Sequence, residues 1–581
     1  MRTFQNILVF LLAIASLGLW VYTGLHTQDM SPFLLHGTYY GMSTLFFLWS
    51  YSIVRVLELR QFSMTDFLRR YGWGLLLCLG MTLVIYISVK PSFKTLSDET
   101  NLLSTSHAML YGKLNTNEMQ AIRYFGNLNA ITTSIDKRPA LFPFLTTLLH
   151  TIRGFDAKNA FLVNAILMFV FLSAVFICAR QTFSGPISAA AVFLVASVPI
   201  FSICGTSGGI DFIACFFLGL SLVILFQFLK KPSSELFGLL WMTLLMCANT
   251  RLESVVFLFI FMGFLFIWGL VRWAYLKENR LLIVMAPLWL LILFWGTLVN
   301  SVYLVDQPGE KHLFSLTHLH HNLLEFLKGQ FDFRFYLPYD NLLHLLAVIL
   351  IVGLFWGILI RKRIFQERAQ KRFALVFVIS LVVQLTIALA HFAGFYTFPT
   401  ASRMFLPFAV TCALMPMFWL ATYPQESFAK GSKLILLGSI VLFVLYHPIA
   451  VEGRFINWLN LNRETYFEHD VVQHLWPDKK ILIVSEVPSQ FTALEYGAID
   501  FDTANMNIPK FMAGLIRHLY QDIIVVQRIM YDTNAPDKKN VLNPAYSLQT
   551  LTEYETADNC FIRISKVVIG PPPTFHQRSL R

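Results

Sequence analysis

The sequence predicts an α-helical protein that crosses a membrane about thirteen times and ends in a small α/β domain outside the membrane. Two observations carry this prediction. Of the 581 residues, 56% are hydrophobic and 14% are charged, whereas soluble domains are about half apolar and about a quarter charged. The apolar residues also form runs of about 20, the length that a helix needs to cross a bilayer. This composition excludes an ordinary soluble enzyme, a disordered regulator and a nucleic-acid-binding module.

The predicted membrane spans are apolar runs that contain few charges. No small-residue cleavage site closes the first run, so we expect a retained helix rather than a secretory signal. The seventh run is short, and the count depends most on it. The spans lie at about 6–25, 38–57, 72–90, 160–179, 187–203, 209–229, 236–250, 254–274, 281–304, 343–361, 373–395, 403–422 and 432–450.

The loops between the spans are basic on one side of the predicted membrane. Loop 55–71 contains four arginines, and loop 361–372 contains six Lys or Arg residues against one acid. Because cytoplasmic loops carry an excess of Lys and Arg, we expect the N-terminus in the cytoplasm and the C-terminus outside. Much of the formal net charge of +11 then reflects topology, so it does not indicate a nucleic-acid partner.

The seven cysteines lie mostly inside apolar runs and form neither a disulfide framework nor a paired zinc-binding spacing. The sequence also shows no eukaryotic retention signal. These two observations favour a bacterial inner membrane, with the C-terminal part in the periplasm.

The chain divides into a transmembrane module, 1–450, and a soluble domain, 451–581. Two predicted outer loops of the module are long, 91–159 and 305–342. In the soluble domain, short β-branched runs at 481–484, 523–526 and 561–568 alternate with polar stretches. That pattern is typical of a small α/β domain with a few buried strands.

The candidate site is a set of charged and polar residues that the predicted topology places at the outer ends of the spans. Carboxylates and basic groups on one side suit a site that binds an anionic lipid headgroup and activates a hydroxyl. The candidates are Asp98, Glu99, His107, Asp136, Lys137, Arg138, Asp211, Arg251, Glu253, His318, His321 and Arg403.

Several candidates have structural alternatives. Asp98 and Glu99 also fit the first turn of a helix that Ser97 caps, and Asp211 fits a helix N-terminus in the same way. Lys137 and Arg138 also fit a basic anchor at the lipid headgroups, just before a short interfacial helix whose start is broken by prolines at 139 and 143. Arg251 and Glu253 could pair with each other across a tight turn.

The histidines between 312 and 321 raise the alternative of a divalent metal. His318 and His321 are three residues apart and share a face if the segment is helical. No cysteine or nearby carboxylate completes a tetrahedral zinc set. We therefore favour an amphipathic helix in the outer loop that contacts donor or acceptor, and we require no cofactor.

Taken in order, these motifs resemble the GT-C glycosyltransferases, most closely the protein O-mannosyltransferases and the bacterial lipid A aminoarabinose transferases. The resemblance covers roughly 1–450 and depends on the order and spacing of six features: Asp98-Glu99 in the first outer loop, Arg138-Pro139-Ala140-Leu141-Phe142-Pro143, Ala179-Arg180, Asp211, Thr250-Arg251-Leu252-Glu253, and Arg403-Met404-Phe405-Leu406-Pro407.

The resemblance implies an enzyme that takes a hexose or pentose from a polyprenyl-phosphate carrier at the outer face. The sugar passes, with inversion, to a lipid, glycan or protein acceptor. Asp98 matches the first-loop carboxylate that acts as base or orients the acceptor, and Glu99 matches its acidic neighbour. Arg138 matches the basic residue expected to contact the carrier phosphate. Where some relatives have an acid directly before it, this chain has Lys137.

The chemistry of such a reaction suits the candidate residues. Because polyprenyl phosphate is a good leaving group, one carboxylate and two or three convergent basic groups suffice, including Lys137, Arg251 and Arg403. The stretch Gly205-Thr206-Ser207-Gly208-Gly209 matches no nucleotide-binding fingerprint.

The main alternative function is a transporter or flippase of an anionic lipid or solute. Such proteins have related halves and charges near the membrane midplane, and the sequence shows neither. For the soluble domain we expect a role in covering the site or selecting the acceptor. Deleting 455–581 should therefore alter acceptor use and leave donor binding intact.

Overall fold

A computed structural model of the protein describes residues 11, 12, 14–16, 18, 31–59, 61–95, 98–124, 126–136, 138–303, 314–330, 341–361, 367–396, 401–420, 431–556 and 560–568. Most of these residues are helical. The described α-helices are α1 (Ser31–Leu59), α2 (Met64–Ser88), α3 (Asp98–Gly112), α4 (Leu141–Arg153), α5 (Lys158–Arg180), α6 (Gly185–Ala196), α7 (Pro199–Gly205), α8 (Asp211–Lys230), α9 (Ser234–Ala248), α10 (Val255–Ile267), α11 (Trp273–Glu278), α12 (Arg280–Tyr303), α13 (Leu316–Gly329), α14 (Asn341–Arg361), α15 (Arg368–Ala390), α16 (Leu406–Leu420), α17 (Ser432–Val441), α18 (His447–Leu475), α19 (Ser489–Thr492), α20 (Phe501–Met506) and α21 (Ile508–Ile516).

Seven stretches within the described residues are long and apolar enough to cross a membrane. They are 35–59, 64–88, 158–180, 211–230, 368–390, 401–420 and 432–452. Helices α6 and α7, which are bent by 74° at the step into Pro199, count as one more span if taken together. Proline disfavours helical geometry in the residue before it, which explains the break.

The remaining predicted spans are helical over most of their described residues, but the predicted span 254–274 is interrupted. Helix α10 ends at Ile267 and α11 begins at Trp273, and Gly269 between them has a φ of +63°, a left-handed conformation that ends helices. Shorter apolar helices lie at 234–248, 252–267, 280–293 and 342–352. The predicted span 6–25 lies mostly outside the described residues. The class of helical, polytopic membrane protein is thus confirmed, while the count of thirteen spans stays a prediction.

A mixed β-sheet accompanies the helices. Its strands are β1 (Thr116–Tyr124), β2 (Asn127–Ile135), β3 (Ile481–Val484), β4 (Gly497–Ile499), β5 (Asp522–Met530), β6 (Ala535–Pro536), β7 (Ser547–Glu555) and β8 (Cys560–Val568). The strand order is β2-β1-β4-β3-β5-β8-β7, and β6 pairs with β5. Strand β3 runs parallel to β4 and β5, and the other pairs are antiparallel. The three strands predicted near the C-terminus are confirmed.

Two strands of this sheet come from segment 91–159, which was predicted to be an outer loop and for which no strand was predicted. β1 and β2 form a hairpin, and Ala121 of β1 pairs with Ala498 of β4. The sheet therefore joins the loop that contains Asp98 and Arg138 to the C-terminal part of the chain. This pairing joins residues more than 350 positions apart, so no local pattern in the sequence indicates it.

The central strands of the sheet are buried on both faces. Because successive side chains of a strand point to opposite faces, Ile481 and Ile483 join the hydrophobic cluster of the helices. Leu482 and Val484 face the other side and pack in a cluster with Phe511 of α21. Burial on both faces explains why this strand is a continuous apolar run rather than an alternating one.

Candidate active site

The first turn of α3 places two adjacent carboxylates in different environments. Asp98 begins the helix, where a negative charge is favoured by the helix dipole. Its side chain is 32% exposed. Glu99 is buried, and its carboxylate accepts hydrogen bonds from the backbone N–H groups of Lys94 (3.1 Å), Thr95 (3.0 Å) and Gly208 (2.8 Å). The proposed cap Ser97 lies outside the described residues.

Glu99 connects the start of α3 to the loop before α8. A Cβ atom at Gly208 would lie 3.3 Å from Oε2 of Glu99, closer than ordinary van der Waals contact, so glycine suits this approach. Burial raises the pKa of Glu99, although the Gly208 and Lys94 N–H groups oppose the shift. Satisfied by three backbone donors, this carboxylate holds the positions of Asp98 and of α8, which starts at Asp211.

Asp98 lies between two arginines from distant parts of the chain. Arg138, which follows β2, donates from Nη2 to Oδ1 of Asp98. Arg403, in the 3₁₀ turn Ala401–Phe405, donates from Nη2 to Oδ2 of Asp98 at 2.5 Å. Burial alone would raise the pKa of Asp98, but the two guanidinium groups outweigh it and hold this pKa well below its usual range.

The same pattern of paired charges continues on both sides of Asp98. Asp136 accepts the backbone N–H of Arg138 at 3.0 Å. Arg403 also lies 3.4 Å from Asp211, which pairs with Arg251.

Arg251 pairs in turn with Glu253. We call this set of residues the ion-pair network: Asp136, Arg138, Asp98, Arg403, Asp211, Arg251 and Glu253.

The ion-pair network alternates acid and base and has four carboxylates against three guanidinium groups, a formal charge of −1. Its members come from segment 91–159, the start of α8, the turn after α9 and the 3₁₀ turn before α16. Buried charges persist only when they are paired, and here each arginine has at least two carboxylate neighbours. Each guanidinium group can therefore exchange one carboxylate for an incoming anion and keep another.

A small, partly open cleft lies beside one end of this network. Its polar lining includes Gln384 of α15, which the sequence analysis did not single out. An amide inside an otherwise apolar span is itself a signal of function and could have identified it. Apolar side chains cover the rest. The lining residues are Asp211, Ala214, Leu218, Arg251, Glu253, Ser254, Phe257, Gln384, Arg403, Met404 and Pro407.

His107 lies in α3 away from the ion-pair network. It joins Glu118 of β1 (Nδ1 to Oε1, 3.2 Å) and Glu495 near β4 (Nε2 to Oε1, 3.8 Å). Burial alone would lower its pKa, but the two carboxylates outweigh this effect and raise the pKa of His107 to about 9. His107 thus joins α3 to β1 and to the C-terminal part of the sheet.

Two further candidates are histidines of one helix. His318 and His321 lie in α13, where the His321 ring contacts the Phe395 ring with centroids 5.8 Å apart. Lys137 and His312 lie outside the described residues. Within the part of the chain that the structure describes, no three His, Cys, Asp or Glu side chains form a group that could hold a metal ion.

A comparison with known protein families matches the segment that contains four of the seven residues of the network. Residues 137–297 match the family model described as dolichyl-phosphate-mannose-protein mannosyltransferase. This segment includes Arg138, Asp211, Arg251 and Glu253. No curated protein matches the chain.

Solved structures of two proteins are similar to the chain. ArnT from Cupriavidus metallidurans bound to undecaprenyl phosphate has 13% identity and a TM-score of 0.48, over 85% of this chain and 98% of that chain. The apo state of the same protein has 13% identity and a TM-score of 0.46, again over 85% of this chain and 98% of that chain. The archaeal oligosaccharyltransferase AglB from Archaeoglobus fulgidus, in complex with an inhibitory peptide and a dolichol-phosphate, has 12% identity and a TM-score of 0.43, over 79% and 70%.

The family match falls on the stretch that begins with Lys137-Arg138-Pro139 and includes Thr250-Arg251-Leu252-Glu253, two of the motifs that indicated the resemblance. It therefore confirms the resemblance of this chain to the GT-C glycosyltransferases of the protein O-mannosyltransferase type.

Proposed function

We propose that the protein is a membrane glycosyltransferase that moves a sugar from a polyprenyl-phosphate carrier to an acceptor hydroxyl, with inversion. The observation that carries this proposal is the position of Asp98. It is a partly exposed carboxylate at a helix start, held by two guanidinium groups of the ion-pair network. This arrangement combines a proton acceptor with anion-binding groups within one hydrogen bond of each other, as the reaction requires.

The proposed step is a single displacement at the anomeric carbon. The acceptor oxygen forms the new bond to this carbon, and the bond from the carbon to the phosphate oxygen of the carrier breaks. The bonding electrons leave with the phosphate, whose added negative charge Arg138 and Arg403 stabilise. The acceptor proton passes to Asp98, so that charge and atoms balance.

Binding of the donor phosphate prepares Asp98 for this role. A carboxylate paired with two guanidinium groups is a weak base because its pKa is far below neutrality. A phosphate that engages Arg138 and Arg403 competes for the same N–H groups and weakens both ion pairs. The pKa of Asp98 then rises towards its usual range, and the carboxylate accepts a proton more readily.

The donor sugar is proposed to lie beside Asp211, against the residues that line this cleft. Carboxylates, guanidinium groups and the Gln384 amide there offer hydrogen bonds to sugar hydroxyls, and Phe257 and Leu218 provide apolar contact. The other charged candidates have supporting roles in this arrangement. Carboxylates hold the arginines, through Asp136 and Glu253, and positive charge for the phosphate comes also from Lys137 and Arg251.

The proposed site faces the outer side of a bacterial inner membrane, and the N-terminus of the protein lies in the cytoplasm. The transmembrane module is 1–450, and the soluble domain 451–581 completes its sheet with β1 and β2. Glu99 and His107 position the outer loop, and α13, with His318 and His321, lies near the acceptor. The acceptor is a lipid, glycan or protein.

The test is mass spectrometry of lipids and surface glycans from cells that express the wild type, Asp98→Asn or the control Asp156→Asn. Asp156 is an exposed outer-loop carboxylate outside the ion-pair network. We expect one sugar to vanish from one acceptor, and its polyprenyl-phosphate form to accumulate, in Asp98→Asn alone. Identical profiles in all three, with each protein folded, would refute the transferase proposal and direct work to transport assays.

A further inference from the structure

Beneath the ion-pair network lies a buried chain of hydrogen bonds that starts on the β-sheet. The hydroxyl of Thr105, in the middle of α3, lies 2.9 Å from Oδ2 of Asp136 and 2.5 Å from Oδ1 of Asn117 on β1. All three side chains are buried. The other oxygen of Asp136, Oδ1, accepts the backbone N–H of Arg138 at 3.0 Å and lies 3.4 Å from its Nη1.

The direction of these hydrogen bonds follows from what each group can donate. An ionised carboxylate only accepts, and a hydroxyl has a single proton, so the Thr105 proton goes to Asp136. In the structure Oδ1 of Asn117 faces the Thr105 oxygen at 2.5 Å. Contacts thus run from Asn117 through Thr105 to Asp136, which accepts from both the Thr105 hydroxyl and Arg138.

The sheet gives this chain of hydrogen bonds a rigid origin. β1 is anchored to the C-terminal part of the protein by the Arg123 guanidinium, which donates to the Glu495 carbonyl at 2.9 Å. Gln120 donates to Asp500 at 2.6 Å, and the Thr492 hydroxyl donates to the Glu118 carbonyl at 2.6 Å. The neighbouring strands β2 and β4, together with α19, therefore fix β1, the strand that contains Asn117.

We propose that Thr105 is a positioning residue that, through Asp136, orients the Arg138 guanidinium for the donor phosphate. This inference rests on the proposed function, because Arg138 has a phosphate to bind only if the protein uses a lipid-phosphate donor. Without the Thr105 proton, Asp136 loses the hydrogen bond that fixes its plane. Arg138 then has more freedom to turn, and the phosphate contact is weakened without any change at the site of proton transfer.

The experiment compares Thr105→Val, Thr105→Ser and the control Thr100→Val in the full-length protein. Valine matches threonine in shape and lacks the hydroxyl, whereas serine keeps it. Thr100 lies on the same helix and is fully buried, and its hydroxyl makes no hydrogen bond with the described residues. The readouts are the Kd for undecaprenyl phosphate in detergent, the KM for donor, kcat and the melting temperature.

We expect Thr105→Val to weaken undecaprenyl phosphate binding and raise the donor KM by about tenfold, the effect of losing one hydrogen bond to a charged group. Serine should restore binding, and Thr100→Val should stay near wild type. Because Asp98 is untouched, kcat at saturating donor should change less than the Kd for undecaprenyl phosphate does. A Thr105→Val protein that is folded and binds the lipid as the wild type does would overturn the inference.

Two further outcomes separate this inference from the proposed function. If Thr105→Val does not fold, Asp136→Asn serves instead, since it keeps the shape and weakens the hold on Arg138. Unchanged binding in that folded variant would equally overturn the inference. If the wild type itself does not bind undecaprenyl phosphate or transfer sugar, the proposed function fails and this inference fails with it.

Discussion

Replacing Asp98 by asparagine removes the proposed base and keeps the size of the side chain. Asparagine retains one oxygen that can accept from either Arg138 or Arg403, and its NH₂ group faces the other guanidinium. Neither arginine is left without a carboxylate, because Arg138 keeps Asp136 at 3.4 Å and Arg403 keeps Asp211 at 3.4 Å. The loss of folding free energy should therefore be only about 2 kcal/mol, close to one hydrogen bond to a charged group.

The effect on catalysis should be much larger. Loss of a positioned general base slows proton transfer about 10²- to 10⁴-fold, which raises the barrier by about 3–5 kcal/mol. Donor binding should hold or tighten, because the arginines lose a competing carboxylate. The assay is single-turnover transfer with purified protein and radiolabelled lipid-linked sugar, beside donor Kd and melting temperature, with Asp156→Asn as the matched carboxylate control.

One result would refute this reasoning directly. If Asp98→Asn transfers sugar at more than half of the wild-type rate while Asp156→Asn is also unaffected, Asp98 does not accept the proton. Its place at the helix start would then be structural. If donor affinity falls together with the rate, Asp98 orients the arginines rather than serving as base.

Three further predictions concern residues around Asp98. Arg138→Ala and Arg403→Ala should each weaken donor binding by at least about tenfold, the value of one charge-assisted contact, measured as the Kd for the carrier lipid; unchanged affinity in both would exclude them as phosphate ligands. Glu99→Gln turns an NH₂ group towards backbone N–H donors and should lower the melting temperature more than Asp98→Asn does. For His107, the raised pKa means that protonation of this side chain stabilises the fold. The stabilisation is complete below about pH 6.5 and is lost as the pH rises through about 9. It amounts to at most about 3 kcal/mol of folding free energy. His107→Gln should therefore abolish the loss of melting temperature between these pH values, and an unchanged pH profile would contradict the contact with Glu118 and Glu495.

The shared sheet changes the expected effect of deleting 455–581. From the sequence, this deletion should leave donor binding intact. In the structure, β1 loses its partner β4 and the anchors of Arg123 and Gln120, so Asn117 and with it Asp136 lose their support. We therefore expect donor affinity to fall as well, which lipid binding to the truncated protein can measure.

Local patterns in the sequence accounted for the membrane helices, three strands and most of the site residues. Hydrophobic runs report burial directly, because a membrane span and a strand buried on both faces each require continuous apolar residues. The charged positions stood out for the complementary reason, since charge in an apolar chain is costly and persists where it is used or paired. Seven of the predicted residues, from Asp98 to Arg403, meet in the ion-pair network.

Tertiary structure alone decided which charges meet and what each one does. Asp98 and Glu99 are neighbours of similar chemistry, yet one faces two guanidinium groups and the other three backbone N–H groups. The pairing of Asp98 with Arg403 and that of β1 with β4 join positions about 300 or more apart. A contact at such separation depends on how whole helices and strands pack, and no periodicity within a segment encodes it. Composition and periodicity thus determined the class of protein and its candidate residues, while long-range packing determined the site.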